Sequence, residues 1–433
     1  MKVFRPAAAI AGKNGRTLAC RPARVVPRSS ASTKIVHMDN INKNVVEMEY
    51  AVRGAVPMRA GKIMEEIAAG KKYPFDEVLY CNIGNPHSVG QQPLSFYREV
   101  MAIVDCPQLL QNPQVGSMFK EDVIARAKLL ISEVAGGTGA YSGSQGVLHI
   151  RKVPRQSLGR SRQNPDDIFI CNGASDAIQK ILTTIISGPK DGILVPIPQY
   201  PIYSALIKLL NGELVGYFMD EGKGWGLDLP HLKQEIASAR AKGTLPKALV
   251  IINPGNPVGN VLSEADMVAL IKLCKEERLI LLSDEVYQEN TYTDRPFLSA
   301  KKVVRSLGKE FDDFELISFH STSKGMIGEC GRRGGYMEIC GMDTKVVQQI
   351  YKLASSGLCS NLNGQIMCDL MLAPPKKGDA SYESFRAEYD GIYNGLKRKS
   401  QMLYKALNAI DGITCQPLAG AMYAFPNIDI PAK

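Results

Sequence analysis

The sequence predicts an α/β fold: a mostly parallel sheet sandwiched by helices, with a smaller α+β domain from the N-terminal part and the C-terminus. Three observations predict it. From Asp167 onward, short apolar runs alternate with stretches of helical spacing. Those runs are apolar at every position, which suits strands buried on both faces. Polar signatures rich in glycine and proline fall just after the runs, where open α/β sheets bind ligands.

The elements follow in order. Residues 34–75 begin polar, turn at Tyr50-Ala51-Val52-Arg53-Gly54 and carry helical spacing from about Met58 to Ala69. Residues 77–83 read as a strand that ends in Asn82-Ile83-Gly84-Asn85-Pro86. Pro93–Leu110 and Lys120–Val134 have helical spacing, and Gly136–Gly146 is a glycine-rich loop. The stretch 147–165 should continue helical, but Pro154, Gly159 and a run of Arg and Ser predict an irregular or exposed segment. The alternation then begins. Strands are expected at Ile168–Cys171, Ile193–Ile197, Glu213–Phe218, Ala248–Ile252, Leu279–Leu282 and Glu315–Phe319. Helices are expected at Ser175–Ile186, Pro201–Leu210, Asp228–Ala241 and Glu264–Glu277. Glu383–Leu407 reads as one long charged helix, followed by a strand pair near Ile413–Gln416 and Ala421–Phe425. The division this suggests is a leader to residue 38, an N-terminal segment at 39–115, a large domain at 116–380 and a C-terminal part from 381.

Composition excludes several function classes. A hydrophobic content of 45% and a charged content of 22% over 433 residues is ordinary for a globular chain with a large core. No apolar run reaches the length of a membrane span. The formal charge of +9 owes most to residues 1–38, which hold eight Lys or Arg before the first acid, Asp39. The remainder is near neutral and carries no nucleic-acid footprint. That leader is also rich in Ala and Ser and reads as an organelle transit peptide, to the mitochondrial matrix or to a plastid, or else as a basic tail on a cytosolic protein. Ten cysteines show neither a disulfide framework nor metal-ligand spacing, and most are expected to be small buried hydrophobes.

The chemistry centres on Ser318-Phe319-His320-Ser321-Thr322-Ser323-Lys324-Gly325, with Arg333 nine residues beyond Lys324. A lysine at a strand end can form an imine with an aldehyde cofactor, while Ser321, Ser323 and Arg333 can hold its phosphate. Asn172-Gly173-Ala174-Ser175 closes a strand and opens a helix, a phosphate nest or a plain serine cap. Tyr200, between two prolines, can stack on a planar ring or simply pack in a turn. Asn253-Pro254-Gly255-Asn256-Pro257-Val258-Gly259 is a rigid run that fixes an amide. Asp284, at the mouth of a buried strand and beside Tyr287, needs a cationic partner unless it only caps a helix. A protonated ring nitrogen about 4 Å away would supply roughly 4 kcal/mol at an effective dielectric near 20. Together these groups meet the needs of pyridoxal 5′-phosphate: imine, protonated ring nitrogen, held phenolic oxygen and bound phosphate.

On Cys81–Pro86, Ala140-Tyr141-Ser142, Asp191–Pro201, Asn253–Gly259, Asp284–Tyr287, Ser321–Gly325, Gly328–Gly331 and Gly420–Tyr423, the chain resembles the fold-type I, class I/II aminotransferases. Within them it is similar to the plant-type alanine and glutamate:glyoxylate enzymes. The resemblance implies that Lys324, Asp284 and Tyr200 are catalytic. Lys324 would hold pyridoxal phosphate and shuttle a proton, Asp284 would pair with the ring nitrogen, and Tyr200 would stack. Asn256 and Tyr287 would bind the phenolic oxygen; Ala174, Ser175, Ser321, Ser323 and Arg333 would hold the phosphate. Tyr141 would reach the site from the partner of a homodimer. The implied reaction passes an amino group from L-alanine to 2-oxoglutarate, with small amino and 2-oxo acids as substrates and no metal. The alternatives are glutamate:glyoxylate transamination and cofactor binding without turnover. The last arises because family members continue beyond the position of Lys433, in a segment carrying the arginine that clamps the substrate α-carboxylate. Two further departures are Val258, where the family has threonine, and the disrupted stretch 147–165.

Overall fold

The computed structural model describes residues 34–157, 164–294 and 297–430. The basic leader lies outside the described residues through residue 33, as does the Arg- and Ser-rich run from 158 to 163. From Glu47 onward the described residues gather into one compact unit. Residues 34–46 belong to another, in which Asn40 closes a turn on the Ile35 carbonyl at 2.8 Å.

Eight strands form the central sheet: β1 (Ile168–Cys171), β2 (Asp191–Ile197), β3 (Glu213–Asp220), β4 (Gly226–Leu227), β5 (Leu245–Ile252), β6 (Ile280–Asp284), β7 (Leu316–Ser321) and β8 (Gly335–Cys340). Their spatial order is β1-β8-β7-β6-β5-β2-β3-β4. The β3-β2-β5-β6-β7 run is parallel, as expected. β8 runs opposite to both its neighbours, β1 and β7, and β4 opposes β3. Neither reversed strand is anticipated by the sequence pattern.

Side chains of the parallel strands alternate between two cores, as the pleat requires. Ile193, Val195, Val250, Leu282, Ile317 and Phe319 meet the helices Ala174–Ile185, Ile202–Leu209 and Thr344–Ser356. Leu194, Leu249, Ile251, Leu281 and Leu316 meet Leu229–Ala241, Glu264–Glu277 and Ala300–Ser306. Both faces are apolar, so the strands read as unbroken apolar runs. Each fully buried aliphatic or aromatic side chain contributes roughly 1.5–3 kcal/mol relative to exposure. Ser263 and Asp266 form a reciprocal capping box that starts the helix Glu264–Glu277 where the sequence places it. A third core joins Ser95–Asp105, Glu121–Glu133, Leu148–Ser157 and Leu362–Leu372, with Phe385 from the long helix Tyr382–Leu407.

The structure corrects four expectations. Residues 77–83 form no strand; Leu79 and Tyr80 are exposed, and no neighbouring strand takes up their backbone groups. The stretch after Gly146 is a helix, Leu148–Ser157, despite Pro154, because Ile150 and Val153 are buried in the third core. At the C-terminal end, β9 (Ile413–Thr414) pairs with β10 (Asn427–Ile428), not with Ala421–Phe425. Residues 420 and 421 are drawn elsewhere: Gly420 N donates to Gly259 O at 2.7 Å, and Ala421 N to Asn290 O at 2.9 Å. Among the described residues nine cysteines are free, but only Cys171, Cys274, Cys368 and Cys415 are buried.

The register Cys171↔Gly335 brings the end of β1 against the start of β8. A Cβ at position 335 would lie 2.7 Å from Gly173 Cα and 2.8 Å from His320 O, so only glycine lets the two backbones meet. Gly335→Ala should lower stability by about 1–3 kcal/mol, read as a lower urea midpoint at unchanged m-value.

Candidate active site

The carboxyl ends of five parallel-oriented strands meet one cavity of about 390 Å³. β1 leads to Ala174 and Ser175, β2 to Tyr200, β5 to Asn256, β6 ends at Asp284, and β7 leads to Ser321, Ser323 and Lys324. Because β8 is reversed, Arg333 precedes its strand and still reaches the same end. Ten of the eleven candidate residues therefore line a single cavity: Ala174, Ser175, Tyr200, Asn256, Asp284, Tyr287, Ser321, Ser323, Lys324 and Arg333. Tyr141 does not. It is 78% exposed and lines a separate depression with Asn172, Arg332 and Asn361.

One end of the cavity is built largely from backbone. Gly173, at φ 82°, caps the helix Ala174–Ile185 with no side-chain hydrogen bond, so the helix N-terminus stays open toward the cavity. The Arg333 guanidinium lies over Gly173, donating to Asn172 O at 3.1 Å and Cys330 O at 3.2 Å. Ser321 Oγ accepts from Ser323 N at 3.0 Å. Ser323 Oγ is buried and finds no hydrogen-bond partner among the described residues. A buried hydroxyl without a partner costs free energy unless a ligand supplies one. An anion at an open helix end beside Arg333 would do so.

The other end is set by buried hydroxyls. Asp284 is 4% exposed and accepts a hydrogen bond from the Tyr203 hydroxyl at 2.9 Å and from Val286 N at 3.3 Å. Burial raises its pKa from 3.8 to about 6, against the lowering pull of Tyr203, Val286 and Lys324. Burial and Asp284 in turn push the Tyr203 hydroxyl well above its ordinary range, so it remains a proton donor. Tyr287 is likewise raised by burial and by Tyr423, to which its hydroxyl donates at 3.3 Å. Lys324 Nζ donates to Gly84 O at 2.9 Å, and Tyr423 accepts from Gly84 N at 2.9 Å. The Tyr50 and Tyr200 hydroxyls share a hydrogen bond of 2.8 Å. Asn256 lines the cavity from a loop locked by Asn253, whose Oδ1 accepts from Leu262 N at 3.0 Å. Val258 is buried, and with no hydroxyl it packs as an apolar wall.

Sequence reasoning missed Tyr203, Tyr423, Tyr50 and the Gly84 carbonyl as members of the site. Tyr203 carried a readable signal. It stands three residues after Tyr200, in the first turn of the helix Ile202–Leu209 that follows the same strand end. The other three come from segments remote in sequence, which spacing does not connect.

Residues 120–431 match the sequence profile of the family described as aminotransferase class I and II. The chain belongs to that family. It is 48% identical over 410 residues to a probable mitochondrial alanine aminotransferase of Dictyostelium discoideum, covering 92% of this chain and 77% of that one. Alanine aminotransferase 2 of Panicum miliaceum is 49% identical over 92% of this chain and 84% of its own length. Among solved structures, an alanine aminotransferase from Pyrococcus furiosus superposes with a TM-score of 0.71 at 25% identity, covering 90% of this chain and 85% of that one. Class I and II aminotransferases are in general pyridoxal-phosphate enzymes, and the α/β sheet described above is their fold.

Asp284 gives this aminotransferase a pH signature. Its folded pKa of about 6 lies above the ordinary 3.8. The ionised carboxylate is thus disfavoured in the fold; the cost is absent below about pH 4 and complete above about pH 6. Asp284→Asn should stabilise the cofactor-free protein at about pH 8 by up to about 3 kcal/mol, with no gain at about pH 4. Urea unfolding of both proteins at the two pH values checks this.

Proposed function

We propose that this aminotransferase passes an amino group from L-alanine to 2-oxoglutarate, giving pyruvate and L-glutamate. One observation carries the reading. A lysine amine, a buried carboxylate and an open helix N-terminus with an unpartnered serine face one cavity, in a chain 48–49% identical to alanine aminotransferases over 92% of its length. Those are the groups pyridoxal phosphate requires, and the residues fit it.

When bound, that cofactor supplies the electron sink that lets the Cα–H bond of an amino acid break. The chain's own residues do the rest. Ala174 and Ser175 N–H groups, Ser321, Ser323 and Arg333 take the phosphate. Asp284, kept in place by Tyr203, would take the protonated ring nitrogen, and that charge pairing would offset the cost of its burial. Tyr200, its hydroxyl anchored by Tyr50, would stack on the ring. Asn256 and Tyr287 present donors to the phenolic oxygen. Lys324 lets go of Gly84 O and, in its neutral form, takes the substrate's Cα proton at Nζ.

The reading includes a homodimer in which exposed Tyr141 serves the partner's site, and location in the mitochondrial matrix. The basic leader and relatives named as mitochondrial favour that compartment over a plastid or the cytosol. A second reaction, glutamate:glyoxylate transamination, has support from relatives of that name in Arabidopsis thaliana at 46% identity over 92–93% of this chain.

Amine transfer from L-alanine to 2-oxoglutarate, followed as pyruvate formed, tests the proposal. Activity with glutamate and glyoxylate but not alanine would favour the second reaction; activity with neither pair would overturn both. Lys324→Ala should abolish the visible cofactor band and lower kcat by at least about a thousandfold, since the nucleophile and proton carrier are removed together.

A further inference from the structure

We infer that Gln365 is a positioning residue that acts across the dimer: it holds the loop carrying Tyr141, and so sets cofactor retention in the partner's site and not in its own. The inference rests on the proposed homodimer in which Tyr141 serves the partner's site.

Gln365 is a polar residue in an apolar place. Every residue of the helix Leu362–Leu372 except Asn363 is buried, and Gln365 is 0% exposed. A leucine or methionine would pack there at no polar cost, whereas a buried amide has to find partners for its oxygen and both its N–H groups. Gln365 finds all three. Its Oε1 accepts from Val147 N at 2.9 Å, and its Nε2 donates to Ser360 O and to Ser142 Oγ, each at 2.9 Å. The first two bonds satisfy buried backbone. The third goes to a half-buried hydroxyl that can bond water instead.

The place of that third bond gives it a role. Ser142 directly follows Tyr141, which is exposed and whose side chain makes no hydrogen bond among the described residues. Nearby backbone bonds, Ala140 N to Gly137 O at 3.2 Å and Gly146 N to Gly143 O at 2.8 Å, tie the loop only to itself. Over residues 140–143, the Gln365 amide is the one hydrogen-bond partner outside the loop among the described residues. Gly136, Gly137 and Gly146 all have positive φ, so the loop gains little rigidity from its own side chains. A ligand group on such a loop binds in proportion to the time it spends in place. Gln365 raises that fraction.

One turn earlier, Asn361 does the corresponding work for its own chain. It caps the same helix, accepting from Gly364 N at 2.6 Å. Its Nδ2 donates to Arg333 O at 3.1 Å and to Asn172 Oδ1 at 2.9 Å, and Arg333 donates back to Asn172 O at 3.1 Å. Asn361 therefore steadies the arginine that faces its own cavity, while Gln365 steadies a loop whose tyrosine points away from it.

Hybrid dimers separate the two directions. With Lys324→Ala in one subunit, a single site forms the visible cofactor band, and its dissociation constant is read by titrating pyridoxal phosphate. Gln365→Met placed in the Lys324→Ala subunit should raise that constant roughly tenfold over the otherwise wild-type hybrid; placed in the subunit that keeps Lys324, it should change it less than about twofold. Ser142→Ala, which cuts only the bond to the loop, should repeat the pattern at roughly threefold, and it decides the matter if Gln365→Met folds poorly. Asn361→Ala should give the reverse pattern. Equal losses in the two placements, a loss confined to the subunit that keeps Lys324, or no loss in either overturns the inference. Tyr141→Phe in the same hybrids separates this from the proposed dimer. If Tyr141→Phe weakens the partner's site and neither Gln365→Met nor Ser142→Ala does, the inference alone fails. If Tyr141→Phe has no effect across the dimer, or the protein sediments as a monomer, the dimer reading fails and the inference with it.

Discussion

The site is organised around a carboxylate in the wrong solvent. Asp284 closes β6 in the middle of the parallel sheet, 4% exposed, with two hydrogen bonds and no ion-pair partner among the described residues. Burial alone would favour its neutral form, and its pKa of about 6 records that tension. A fold tolerates such a group where a cation arrives to share the low-dielectric position. The surrounding choices follow from it. Tyr203 must be a buried tyrosine because its hydroxyl has to stay protonated to donate. The neighbouring strands must be apolar on both faces because water would screen the interaction.

The same sheet explains why so much was legible in the sequence. Strands buried on both faces appear as unbroken apolar runs, and parallel connections place every following loop at one end. Reading Ile252, then Asn256, or Phe319, then Lys324, is therefore reading down the wall of a cavity. Strand boundaries followed closely, and β1 and the helix Glu264–Glu277 lie where expected. What escaped was whatever depends on a reversed direction or a distant partner. Gly335–Cys340 offers glycine, methionine and glutamate in place of a β-branched run, so β8 went unseen. Without β8, the position of Arg333 rests on resemblance alone; with it, the arginine is at the ligand end because its strand starts there. Conversely, residues 77–83 have strand-like chemistry and, among the described residues, no strand to pair with.

Burial overrode local propensity in one instructive place. Pro154 argues against a helix after Gly146, yet Val147, Ile150 and Val153 fall at helical spacing and are all buried in the third core. Val147 N is also taken by the buried Gln365 side chain at 2.9 Å, which fixes the start of the segment. A proline costs a helix about 3 kcal/mol. Three buried aliphatic side chains at roughly 1.5–3 kcal/mol each outweigh that cost.

The cavity has two walls of different construction, and the difference bears on what each can do. One wall consists of strand ends packed into the cores, with Asp284, Tyr287, Ser321 and Ser323 all buried. The other consists of short segments from far along the chain, at 50–53 and 83–84. They are tied to the first wall by single polar contacts, Tyr50 to Tyr200 and Lys324 to Gly84, and Gly84 N is also bonded to the Tyr423 hydroxyl. Each such contact contributes on the order of 1 kcal/mol, far less than the apolar packing behind the strands. The packed wall can therefore keep fixed geometry for groups that must not move, whereas the hydroxyl-tied wall can shift at small cost. Retaining a cofactor suits the first. Admitting alternately a short and a long substrate suits the second.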